Sequence, residues 1–179
     1  MIIWINGAFG SGKTTLVTEL HRLWPDALVY DPELVGFAVR QVVPVPTGDF
    51  QDLRLWRRQV ASMALGLIDE YKRPLLAPMT LVNPQYLDEI FSELREAGAT
   101  IHHFFLSVSV KTLASRIDAQ TIVAGDPEHD ERVRQWRRAQ IERCVAAPMP
   151  QGTVVLDGEA PTDVLAKQAL HHIGVSPVR

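Results

Sequence analysis

Short apolar runs alternate along the chain with longer segments in which apolar residues recur every three or four positions. The short runs predict buried strands and the longer segments amphipathic helices. Residues 2–6 form a β-rich run that ends at Gly7. Leu16, Val17, Leu20, Leu23 and Trp24 then mark a helix over 13–24, stopped by Pro25. A second strand is predicted over 27–31. Asp31-Pro32-Glu33 opens a helix to about residue 41, with Asp31 at the cap and Pro32 in the first turn. After a loop at 44–48, Leu53, Trp56, Val60, Met63, Leu67 and Tyr71 lie on one stripe of a long helix ended by Pro74. The third strand covers 75–79. A helix over 84–97 stops at Gly98, and the fourth strand spans 100–107. A helix over 110–118 and a loop over 119–130 come next. A long charged helix runs over about 128–146, broken by Pro148 and Pro150. A fifth strand at 153–156 and a closing helix at 162–173 complete the chain. Leu165, Ala169, Leu170 and Ile173 on that last helix fit docking on the sheet, with a membrane-surface role as the alternative.

Strands that alternate with helices imply an α/β fold, a parallel sheet wrapped by helices on both faces. Ligands of such folds bind beyond the carboxyl ends of the strands. The segments to inspect are therefore 7–14, 31–33, 78–80, Ser107 and 157–161. The 179 residues suit one domain, with 46% hydrophobic and 22% charged residues. A net charge of −3 gives no general attraction to nucleic acid. Cys144 is the one cysteine, so no intrachain disulfide can form, which fits a reducing cytoplasm. The apolar start lacks a basic flank and reaches the glycine loop within a few residues, which argues against a signal peptide. No apolar run approaches the roughly 20 residues of a membrane span.

Gly7-Ala8-Phe9-Gly10-Ser11-Gly12-Lys13-Thr14 fits the G-x-x-x-x-G-K-[ST] phosphate-loop pattern, between a strand and a helix as the pattern requires. Glycines let backbone N–H groups converge on phosphate, and the helix start adds its dipole. Lys13 supplies charge to the β- and γ-phosphates, and Thr14 a hydroxyl to Mg²⁺. The ligand predicted is ATP with Mg²⁺, held by residues 7–14 with Thr15. Neither an N-K-x-D nor a D-x-x-G motif of GTPases is present. Residues 65–70 end in Asp69-Glu70 like a motor-ATPase strand, yet they continue the helical stripe and are assigned to the helix.

Asp31 and Glu33 follow the second strand. One carboxylate there can orient Mg²⁺ and the other can position or deprotonate an acceptor hydroxyl. Capping by Asp31 is the alternative, and compatible with it. Arg116 suits either stacking on adenine or a favourable place at a helix C-terminus. Glu128–Arg132, Asp130–Arg134 and Arg138–Glu142 have the spacing of helical ion pairs. Arg137 has no such partner, so Arg134 and Arg137 are the candidates to clamp the transferred phosphoryl group. Arg57 borders the apolar stripe, facing either a substrate cleft or solvent. Thr80 is a candidate substrate donor. No carboxylate follows the third strand, so metal binding falls to Thr14 and Asp31. His102 and His103 lack a third ligand and are assigned to packing or solvent.

Gly-Ala-Phe-Gly-Ser-Gly-Lys-Thr-Thr, then Tyr-Asp-Pro-Glu, then Leu-Ala-Pro-Met-Thr-Leu resembles, in order and over nearly the whole chain, the tunicamycin-resistance family of P-loop proteins. That family is similar to nucleoside monophosphate, shikimate and gluconate kinases. The resemblance implies a P-loop three-layer sandwich with sheet order 2-3-1-4-5, a substrate-binding segment at about 32–72 and a lid at about 117–145. It places Asp31 and Arg57 on the acceptor side, and Arg116, Arg134 and Arg137 on the lid side. The Asp-Gly-Phe-Pro of nucleotide kinases after the third strand is missing. Three functions remain open: a Mg·ATP phosphotransferase acting on a nucleoside-like molecule, an ATP-dependent binder that sequesters tunicamycin, and a housekeeping metabolite or nucleoside kinase.

Overall fold

The computed structural model describes residues 1–177, so the last two residues of the predicted 1–179 domain lie outside the described residues. Five parallel strands are ordered β2-β3-β1-β4-β5: β1 Ile2–Gly7, β2 Leu28–Val29, β3 Leu75–Pro78, β4 Ile101–Ser107 and β5 Val154–Asp157. β1 is buried along its whole length and lies between β3 and β4, with Ile3 beside Leu76 and His102. Its alternate side chains face opposite ways, as the strand period requires. Ile3 and Ile5 meet Leu16, Val17 and Leu20 of α1 (Lys13–Leu23) and Leu165, Ala169 and Leu170 of α8 (Thr162–His172). Ile2 and Trp4 meet Trp56 and Val60 of α3 (Arg54–Tyr71) and Leu87, Ile90 and Phe91 of α4 (Pro84–Glu96). The stripe of α8 thus docks on the sheet. Among the described residues no helix is long and apolar enough to cross a membrane.

A third apolar cluster lies under the phosphate loop and joins Ala8 and Phe105 to Leu113 and Ile117 of α5 (Val110–Asp118). It explains one departure from the predicted elements. The charged helix expected at 128–146 is divided at Gln140 into α6 (Pro127–Ala139) and α7 (Ile141–Val145). Gln140 N–H donates to the Arg137 carbonyl, a tightened turn. The change of direction lets Ile141 and Cys144 enter the third cluster, whereas Asp130 is the one buried residue of α6.

Two other elements differ from expectation. β2 keeps only two ladder residues, although Tyr30 N–H still reaches the Leu76 carbonyl. Asp31-Pro32 then turns the chain into α2 (Glu33–Val42), and Pro32, not Asp31, holds the cap position. The buried arc of α3 is turned toward Arg57, Ala61 and Ala64, so Met63 and Tyr71 of the predicted stripe are 51% and 57% exposed. Small alanines allow close approach on that side, and Arg57 is drawn inward by polar partners. Residues 65–70 are helical, as assigned.

Candidate functional site

The loop between β1 and α1 is held from behind by side chains at the strand ends. Asn6 Oδ1 accepts the N–H groups of Gly7 (2.8 Å) and Leu81 (3.0 Å), while its Nδ2 donates to the Leu81 carbonyl (2.7 Å). Gly12 precedes α1 with a left-handed φ of 95°, which aims the first helical N–H groups out of the loop. Lys13 Nζ lies over the loop and donates to the carbonyls of Ala8 (2.8 Å) and Gly7 (3.1 Å). Burial lowers its pKa from 10.5 to about 8, against the pull of Glu33.

In front of the loop is a cavity of about 470 Å³, a size that suits a small-molecule ligand. Phe9 to Leu16 form its floor. Asp31, Glu33 and Pro78 form the wall at the ends of β2 and β3, and Arg116, Gln120 and Arg137 the wall on the α5–α6 side. Gly158, Ala160, Thr162 and Leu165 close the side next to β5. Asp31 Oδ1 accepts the Glu33 N–H (2.9 Å), which fixes the turn that presents both carboxylates. Burial, then the neighbouring Asp31, raises the pKa of Glu33, while Lys13 and Arg137 oppose the shift. One Arg116 Nη1 donates to the Gly158 carbonyl at 3.1 Å, with the carbonyls of Ser11 and Gly10 at 3.4 and 3.5 Å. Arg137 reaches the cavity from α6, donating to Gln120 Oε1 and lying over the Phe9 ring. Burial lowers the pKa of this guanidinium, and its Nε is buried without a partner. Phe9 also meets Trp136 edge-on at 5.0 Å, so the loop and α6 touch through aromatic rings.

The cavity therefore unites Lys13, Thr14, Thr15, Asp31, Glu33, Arg116 and Arg137 of the predicted site. Gly7 and Ala8 lie behind it, with carbonyls turned to Lys13. Mg²⁺ takes one or two protein oxygens beside phosphate oxygens and water. Thr14 and Asp31 offer a hydroxyl and a carboxylate on the same cavity. Among the described residues no cluster of three or more His, Cys, Asp or Glu forms a separate metal site.

Besides Gly7 and Ala8, three predicted site residues do not line the cavity. Arg57 is 8% exposed, and donates to the Gln51 carbonyl (2.6 Å) and to Glu89 (2.6 Å) while stacking on Tyr86. Thr80 is 2% exposed and donates to the Gly7 carbonyl at 2.8 Å. Arg134 binds Glu131 and the Gln120 carbonyl, with Asp130 at 4.0 Å. Its neighbour Arg138 pairs with Asp118 and Glu131, not with Glu142, because α6 packs on α5. Among the described residues Glu128 and Arg132 share no ion pair. His103 is buried against Asn6 and Thr153, with its pKa lowered by burial to about 4, consistent with packing.

Sequence reasoning missed Asn6, Gln120 and Asp130. Asn6 had a signal: it is the single polar residue in an otherwise apolar strand. Asp130 takes the N–H groups of Ile122 and Val123 and so shapes the 119–126 loop that presents Gln120. No local pattern announces that contact.

A family model described as an AAA domain matches residues 2–144. The chain belongs to the AAA domain family. Among proteins of curated function, no sequence matches it significantly. By structure, this AAA domain is similar to the tunicamycin resistance protein of Deinococcus radiodurans. The two are 23% identical, with a TM-score of 0.73 over 99% of this chain and 98% of that one. It is also similar to a sugar kinase from Janibacter sp. (16% identity, TM-score 0.68, 97% and 94% covered). The APS kinase of Mycobacterium tuberculosis, solved in complex with AMPPNP and APS, is a further match (15% identity, TM-score 0.67, 97% and 96% covered). These likenesses show a P-loop kinase-like fold.

Proposed function

We propose that the protein is a Mg·ATP-dependent phosphotransferase acting on a nucleoside-like small molecule, with tunicamycin as the first acceptor to test. The observation that carries this reading is one cavity with a phosphate loop on its floor, two carboxylates on one wall and two arginines on the other. ATP lies with its phosphates on residues 7–14, and Arg116 and Gly158 border the space for its base. Mg²⁺, held by Thr14 and Asp31, would neutralise phosphate charge. An acceptor hydroxyl enters beside Asp31 and Glu33. Its oxygen forms the new bond to the γ-phosphorus, and the bond to the β–γ bridging oxygen breaks, so that ADP leaves with the electron pair. Asp31 orients the hydroxyl and takes its proton. Lys13 and Arg137 stabilise the charge that develops on the transferred group, the main demand of phosphoryl transfer.

The similarity to the Deinococcus radiodurans tunicamycin resistance protein supports the choice of acceptor. The test is mass spectrometry of tunicamycin incubated with Mg·ATP and the purified protein. A phosphate-sized mass gain that is lost in Asp31→Asn and Lys13→Ala is expected. An active Lys13→Ala protein would sink the mechanism.

A second reading is retention of the drug without transfer. It is favoured by Pro78, which stands on the cavity wall at the end of β3 in place of a carboxylate. Unmodified drug, retained by the protein only when ATP is present, would establish it.

A further inference from the structure

Arg134, Arg137 and Arg138 on α6 differ in the charge of their partners. Arg134 meets Glu131 at 3.0 Å and Asp130 at 4.0 Å, and Arg138 pairs with Asp118 and Glu131. Arg137 has no carboxylate partner among the described residues. Its Nη1 donates to Gln120 Oε1 at 2.5 Å, and its guanidinium lies 5.6 Å from the centre of the Phe9 ring. Both partners are uncharged. Its Nε is enclosed without a partner, and among the described residues its Nη2 donates to nothing, so Nη2 is the donor left for a ligand. Glu33, on the opposite wall of the cavity, attracts Arg137 without forming an ion pair.

Gln120 is well placed to hold this arginine. It follows α5, where its N–H donates to the Ile117 carbonyl at 3.1 Å and its own carbonyl accepts Arg134 Nη1 at 2.9 Å. Its side-chain amide has one workable orientation. A guanidinium offers donors and no acceptor, so the atom facing it must be Oε1. A carboxylate in this place would hold the guanidinium as firmly, but it would offset the charge and compete with an incoming anion for it. An amide oxygen and the face of a ring hold the cation and leave its charge intact beside the phosphate loop. We infer that Gln120 is a positioning residue for Arg137, fixing the guanidinium on the cavity wall without neutralising it. Gln120 acts through Arg137 and not on the nucleotide. This inference rests on the nucleotide-binding reading, but not on whether phosphate is transferred.

The test is a double-mutant cycle read by calorimetric titration with Mg·ATP. Gln120→Met keeps the length of the side chain and removes the acceptor, and Arg137→Met removes the cation. Gln120→Met is expected to weaken Mg·ATP about tenfold in the wild-type background and to change it by less than about twofold in the Arg137→Met background. A third variant, Gln120→Glu, keeps the acceptor and adds a negative charge. It is expected to melt no lower than wild type and yet to bind Mg·ATP about tenfold more weakly. A purely structural role would give the opposite, with affinity restored by the conservative Glu. A loss in Gln120→Met that persists undiminished without Arg137, or a Gln120→Glu protein that binds as tightly as wild type, would overturn the inference. Failure of wild type to bind Mg·ATP would instead overturn the nucleotide reading, and this inference with it.

Discussion

Lys13 rests on two loop carbonyls with a pKa of about 8, well below the 10.5 of a free lysine, because its ammonium is buried. Between those values an unfolded chain holds the proton that the folded one has released. The free protein therefore gains stability from Lys13 as pH rises through this window. A bound polyphosphate reverses the preference and draws the proton back. Mg·ATP binding is expected to take up protons at about pH 8.5 and to weaken as pH rises further. Calorimetric titrations in two buffers of different ionisation heat measure the uptake directly. A value of zero would detach Lys13 from phosphate binding. Of the site's residues, those in the loop were legible from spacing alone, since glycine positions and a lysine at a helix start have one physical use together. Gln120 was not, since a glutamine in a polar loop carries no pattern.

At the scale of elements, α3 shows how partners can rotate a helix away from its apolar stripe. Arg57 lies inside, between the Gln51 carbonyl, Glu89 and the Tyr86 ring, and joins α3 to α4. Arg57→Met preserves the apolar stem and removes the donors, leaving the Gln51 carbonyl without its guanidinium donor and Glu89 without its ion pair. The stability is expected to fall by about 2 kcal/mol, read as a lower urea midpoint with an unchanged slope. A variant as stable as wild type that lost acceptor binding would return Arg57 to the substrate-binding role expected of it. The split of the charged helix at Gln140 has a similar origin. Its residues keep helical spacing throughout, but Ile141 and Cys144 can be buried only if the axis turns toward the third cluster.

Across the whole molecule, α5, α6 and the loop between them form a wall that touches the phosphate loop through Phe9, Trp136 and Arg137. Arg134 and Arg138 tie that wall to itself with carboxylates and the Gln120 carbonyl. The charge of Mg·ATP phosphates in the cavity would add a partner for Arg137. Amide hydrogen exchange in residues 119–140 is therefore expected to slow on binding Mg·ATP, with little change in α4 on the far face. Uniform slowing across the chain would mean general stabilisation and no local response of this wall.

The sequence by itself determined the alternation of strands and helices, hence the layered architecture, and it determined the phosphate loop. Both are encoded locally, one in hydrophobic period and the other in consecutive residues whose backbone and charge act together. Its resemblance to P-loop proteins supplied the strand order, which the structure bears out. Tertiary structure decided which polar side chains meet. Asp31, Glu33, Arg116 and Arg137 come from three separate elements and the turn before one of them, and share one cavity because a parallel sheet delivers all its strand ends to the same edge. Thr80 and Arg57 were equally plausible as substrate donors until folding supplied them with buried partners. Burial obliges a polar group to find a partner nearby, and which partner is near depends on the packing of segments distant in sequence.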